Sequence, residues 1–140
     1  NIGIGLVENF HIKGGAIATT IAHDSHNIIV IGDNDADMAL AVNEIVRLQG
    51  GITIASKGAI MGSLPLPIAG LMSSESMEHV ADVLSNLRKI AIETLHIPKS
   101  LEPFMTLSFL ALPVIPELKI TDRGYFDVKT FRFVDVSEKM

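Results

Sequence analysis

Two apolar, β-branched runs separated by a short polar motif constrain this chain more than any other feature. Ala16-Ile17-Ala18-Thr19-Thr20-Ile21 is the first run and Asn27-Ile28-Ile29-Val30-Ile31 the second, with His23-Asp24-Ser25-His26 between them. Branching at Cβ suits a pleated surface and restricts rotamers in a helix, so the pattern predicts two strands joined at the polar motif. Strands this apolar need helices packed on the sheet they form.

The covering elements follow in order. Gly32 ends the second strand, and Asp33-Asn34-Asp35 offers capping oxygens and negative charge where the first backbone N–H groups of a helix lack partners. From Met38 the apolar positions Ala41, Val42, Ile45, Val46 and Leu48 recur at helical spacing, with Arg47 in the last turn and Gly50-Gly51 as the stop. Residues 52–56 and 59–64 flank Lys57-Gly58 as a β-hairpin. Pro65 and Pro67 make the stretch 64–70 an extended loop, because each removes a donor and forbids helix. Ser73-Ser74 is the expected start of a second helix, with an apolar stripe through Met77, Val80, Val83, Leu84, Leu87, Ile90, Ala91 and Leu95, ending before Pro98. The remainder, residues 101–136, predicts a helical turn near 105–110, a proline-broken segment and two brief strands around Thr121-Asp122-Arg123-Gly124. The sum is a single domain over residues 1–140, of α+β or α/β class: a two-layer arrangement with a mixed β-sheet and two main helices packed on it.

Composition narrows the function classes. The 140 residues carry a net charge of −5, and Arg88-Lys89 is the only adjacent basic pair, so a nucleic-acid partner is not expected. Cysteine is absent, which excludes disulfides, thiolate nucleophiles and cysteine-based zinc sites. The most apolar run, residues 107–116, is short and broken by Pro113 and Pro116, so no membrane span is expected and a cytoplasmic chain fits best. With 48% hydrophobic and only 19% charged residues, part of the surface is expected to be covered by another domain or another copy of the chain, as in a homo-oligomer. The start at Asn1, with no methionine, leads to the expectation of a piece cut from something longer, although processing produces the same start.

Few motifs carry chemistry. Asp33, Asp35, Asp37 and Glu44 fall at four ligand positions of an EF-hand loop, but Met38 occupies the place of its obligatory glycine, so they read as an acidic helix start with Glu44 on the solvated face. Gly3-Ile4-Gly5 has Glu8 where a dinucleotide fingerprint needs a third glycine. His11, His79 and His96 are scattered and expected at the surface, while Met61, Met72, Met77 and Met105 read as core or interface filler. Lys57 reads as solvated. The one dense constellation is His23-Asp24-Ser25-His26-Asn27, whose two imidazoles and carboxylate could bind a divalent metal, relay protons or hold one another in a structural network. His23, Asp24 and His26 are the auxiliary catalytic candidates. His23, Ser25, His26 and Asn27 are the substrate-binding candidates, and His23 and His26 the metal-binding ones.

The stretch Gly14-Gly15-Ala16-Ile17-Ala18-Thr19-Thr20-Ile21-Ala22-His23-Asp24-Ser25-His26-Asn27-Ile28-Ile29-Val30-Ile31-Gly32 resembles the carboxy-terminal domains of adenine deaminases. Leu64-Pro65-Leu66-Pro67-Ile68-Ala69-Gly70-Leu71-Met72 resembles that family's proline-rich loop. Residues 102–116 with Thr121-Asp122-Arg123-Gly124 resemble its terminal block. The resemblance implies a parent enzyme of the amidohydrolase superfamily that hydrolyses adenine to hypoxanthine and ammonia. In such enzymes a divalent metal, manganese or iron, sits in a TIM barrel and turns water into the attacking hydroxide. Such a barrel needs ~200 residues or more and its His-x-His and downstream metal ligands have no counterpart here, so the catalytic barrel is absent from this chain and the segment alone is expected to be inactive. Three roles remain open: the 23–27 motif reaching the mouth of the barrel, where it meets adenine; a structural and oligomerisation module; or a free-standing small-molecule or metal-binding module.

Overall fold

The computed structural model describes residues 1–135, so Val136, the last residue of the expected terminal segment, lies outside the described residues. Four strands form the main sheet: β1 (Ala16–Thr19), β2 (Ile29–Gly32), β3 (Gly51–Ser56) and β4 (Ala59–Pro65), in the order β2-β1-β3-β4. Every pairing is antiparallel, which selects α+β over α/β and makes the sheet uniform where a mixed one was expected. The long β2–β3 connection contains the helix α1 (Asp35–Leu48). After β4 come α2 (Met77–Glu93) and α3 (Pro103–Phe109). A second sheet of β5 (Leu118–Thr121), β6 (Gly124–Asp127) and β7 (Arg132–Val134) completes the described chain.

The helices lie on opposite faces of the main sheet. Alternation along β1 points Ile17 one way and Ala16 and Ala18 the other. Ile17 joins Ile54, Leu64, Leu87, Leu95 and Leu107 in a core under α2 and α3, whereas Ala16, Ala18 and Ala55 meet Ala41 and Ile45 of α1. The sheet is therefore the middle of three layers, one more than the two expected. The alanine face permits this, because small side chains let a helix approach closely. All six residues of β3 are buried as a result. Each large aliphatic side chain fully buried here contributes ~1.5–3 kcal/mol relative to exposure.

Local chemistry sets the ends of the elements. α1 starts at Asn34, whose side chain accepts from the Asp37 N–H at 2.9 Å. It stops one residue before the expected glycines, at left-handed Gln49, and Gly50 N–H donates to the Ile45 carbonyl at 3.0 Å. α2 begins later than Ser73-Ser74. Ser76 is its cap, while Ser73 accepts from the Glu75 N–H in the preceding turn. α3 begins earlier than expected because Pro103 suits a first helical turn and the Glu102 carboxylate caps it through Met105 N–H at 2.7 Å. The proline-rich loop is pinned at its far end: Thr20 Oγ1 donates to the Gly70 carbonyl at 2.5 Å and accepts from Gly51 N–H at 2.9 Å. Strand β7 was not expected. Among the described residues no helix is long and apolar enough to cross a membrane.

Candidate functional site

The chain leaves β1 after Thr19 and, past Thr20, forms the polar turn. Ala22 is fully buried and anchors it. His26 N–H donates to the Ala22 carbonyl at 2.6 Å, with His26 in the left-handed region at φ 50°, a closed α-turn. His23 N–H donates to the Ser108 carbonyl at 3.1 Å, tying the turn to the last residues of α3. The His23 ring lies over Phe109 with centroids 4.8 Å apart and planes tilted by 33°, and meets the His26 ring edge-on at 5.8 Å.

This geometry brings the candidates together as a backbone-fixed turn with free side chains. His23 is half-buried, and Asp24, Ser25, His26 and Asn27 are exposed. Every hydrogen bond that holds the turn is made by the main chain, and no side chain from His23 to Asn27 is bonded within the described residues. Beside it, Met105, Phe109, Leu110 and Ile115, with Glu102 and Lys119, line a groove of about 360 Å³. Ser108 and Phe109 support the turn, yet nothing near residues 23–27 announces them, because the contact is set by how α3 packs.

Two imidazoles are one ligand short of the three protein ligands usual in a catalytic zinc site. No group of three or more His, Asp or Glu side chains among the described residues is placed to hold a metal ion. By themselves, then, His23 and His26 do not fit a metal centre.

The acidic cluster at the start of α1 behaves differently. Asp33 accepts from Gly14 N–H at 2.6 Å and Gly15 N–H at 3.0 Å. Asp37 is buried and accepts from Gly58 N–H at 2.8 Å and Lys57 N–H at 3.1 Å, closing the β3–β4 turn. The Gly14 N–H, followed by the Asn34 amide, holds the Asp33 carboxyl below its ordinary value, and the Gly58 N–H, again followed by Asn34, does the same for Asp37. Glu44 departs from expectation. It is half-buried, and the Arg47 guanidinium binds it through two 2.7 Å contacts and lowers its pKa. His11, His79, His96 and Lys57 are exposed as expected. Met61, Met72, Met77 and Met105 are exposed too, which removes the core half of their reading.

With that geometry in place, the relatives are informative. The profile of the adenine deaminase C-terminal domain matches residues 1–132. An adenine deaminase of Clostridium acetobutylicum is 62% identical over 134 residues, 96% of this chain and 24% of its own length. One from Nitratidesulfovibrio vulgaris is 58% identical over 136 residues, and the Carboxydothermus hydrogenoformans protein named adenine deaminase 2 is 51% identical over 137. The chain belongs to the adenine deaminase C-terminal domain family. It spans about a quarter of the length of the curated relatives it matches. The polar turn, the proline-rich loop and the α3 block are thus parts of one adenine deaminase C-terminal domain, within the matched residues.

Proposed function

We propose that this chain is the C-terminal domain of an enzyme that hydrolyses adenine to hypoxanthine and ammonia. In this reading the chemistry resides in a metal-dependent barrel elsewhere in the same cytoplasmic polypeptide, with manganese or iron as the metal, and the segment alone is inactive. The observation that carries the reading is the family match over residues 1–132 in a chain that covers only 24% of its relatives. Bound in that barrel, such a metal would supply the activated water.

Within that enzyme, the 23–27 turn serves the working site more than the scaffold. A structural network would consume its imidazoles and carboxylate in bonds that hold the fold, whereas here the main chain does the holding. His23, Ser25, His26 and Asn27 are left to bind the purine, and His23, Asp24 and His26 to move a proton at its edge. The full gene product and this segment are assayed side by side for ammonia release from adenine with manganese or iron. Turnover by the full product alone is the expected result; turnover by the segment, or by neither, overturns the reading.

A further inference from the structure

The polar turn is one end of a longer surface. Phe109, under the His23 ring, is also a wall of the groove that contains Met105, Ile115 and Lys119. Lys119 stands opposite Phe126, and Phe126 opposite Phe133, across β5, β6 and β7. Residues directly opposite in antiparallel strands project from one face. The rings of Phe131 and Phe133 both meet Phe126 edge-on, at 5.1 and 5.3 Å. Groove and aromatic face therefore run into each other through Lys119. Along this path Met105 is 61% exposed, Phe131 75% and Phe133 51%.

The reverse face of the same small sheet is finished. Tyr125 precedes Phe126 and so points to the other side. Its hydroxyl donates to the Leu6 carbonyl at 2.8 Å and accepts from the Leu6 N–H. Gly5 passes so close that a Cβ there would stand 2.7 Å from the Tyr125 ring. The chain's own first residues cover that side, and among the described residues nothing does the same over Phe131 and Phe133. A continuous apolar patch, unlike scattered apolar residues, marks a docking surface.

We propose that the surface from Phe109 through Lys119 to Phe133 docks on the part of the parent polypeptide outside this segment, and that this docking carries the 23–27 turn to the partner domain. The lengths of the relatives identify the occupant: with 24% of their length accounted for, about three quarters of such a polypeptide remains to be packed against this domain. A covalently tethered neighbour reaches the patch at high effective concentration, ahead of a second copy. Contacts between domains of one chain typically cover ~600–1,500 Å². The inference rests on reading the segment as one domain of a larger enzyme, and adds which face meets the rest.

Hydroxyl-radical footprinting of the full-length protein tests it, with Met77, 80% exposed on α2, as internal reference for Met105. Met105 and Phe131 are expected to oxidise several-fold more slowly than their exposure in this domain implies, while Met77 stays reactive. In parallel, p-benzoylphenylalanine in place of Phe131 is photolysed in a mixture of isotopically light and heavy full-length protein. Links to residues outside this segment within one label support the docking. Links joining the two labels assign the patch to a second copy and overturn it, as does Met105 oxidising like Met77. Ammonia release from the same preparation judges the catalytic reading separately, since protection and cross-links are read whether or not adenine is turned over.

Discussion

Two short polar motifs compete for attention in this chain, Asp33-Asn34-Asp35-Ala36-Asp37 and His23-Asp24-Ser25-His26-Asn27, and they use their side chains in opposite ways. The first spends its carboxylates on the fold: Asp33 binds the backbone before β1, Asp37 binds the turn between β3 and β4, and Asn34 bridges the two. The second is held by its main chain and the packing of Ala22 and Phe109, leaving its polar groups to solvent. Polar density alone does not mark a site. What matters is whether the polar atoms are already engaged.

The largest expected effect tests the second motif. In the full-length enzyme, His23→Ala combined with His26→Gly should lower turnover by on the order of a hundredfold, the lower range for losing a positioned proton-transfer group. Glycine is chosen at His26 because it adopts the left-handed backbone without a Cβ penalty, so the imidazole is removed and the turn preserved. Turnover is measured beside melting temperature and subunit assembly. Near-normal turnover with a fallen melting temperature would reverse the comparison and make both motifs structural.

Asp37→Asn should affect stability instead, lowering the melting temperature by roughly 5–10 °C with specific activity of the folded enzyme retained, since a buried acceptor of two backbone N–H groups is weakened. The same group sets an acid dependence. Its folded pKa lies below the ordinary aspartate value of 3.8, so its contribution is fully present above that value and is lost as pH falls through the depressed folded value. Asp33 acts in the same direction. Melting temperature followed downward from pH 5 should fall more steeply for the wild type than for Asp37→Asn; parallel curves would show that the carboxylate is not held by the fold.

How much of this contrast the sequence disclosed depends on the range of the interactions. The start of α1 and the Lys57-Gly58 hairpin are legible because capping and turn chemistry act within a few residues. The 23–27 turn is legible as a connection between strands for the same reason. That its side chains are unspent is not legible, because the partners of its backbone are Ser108 and Phe109 on α3. The third layer escaped because helical periodicity tells which stripe of α1 is buried but not which side of the sheet receives it. Strand β7 escaped because Arg132-Phe133-Val134 is too short to show alternation and pairs only through β6.

A smaller effect probes the first motif from its cap. Asn34→Ala removes the oxygen that accepts Asp37 N–H and the amide that donates to both carboxylates. Loss of an N-cap costs about 1 kcal/mol, read as a lower denaturant midpoint with an unchanged slope. Asn34→Asp keeps the cap oxygen but sets a third carboxylate beside Asp33 and Asp37, and should be the worse replacement above pH 5. If the two variants are equal, repulsion from the added carboxylate only matches the loss of the cap oxygen.

The smallest effect belongs to the Glu44–Arg47 pair, which marks where engagement of a polar group stops mattering. Its two contacts are short, but the Arg47 side chain is 68% exposed, so water competes for the guanidinium and salt screens what remains. Arg47 also sits in the last turn of α1, where a cation favours the helix whether or not Glu44 is present. Arg47→Gln should therefore lower the melting temperature by less than about 2 °C, and the difference should shrink in high salt. Glu44→Gln should cost no more, since the half-buried amide it introduces can still accept from Arg47. A salt-insensitive loss as large as that of Asp37→Asn would place this pair with the engaged cluster, and exposure would then be the wrong criterion for separating the two motifs.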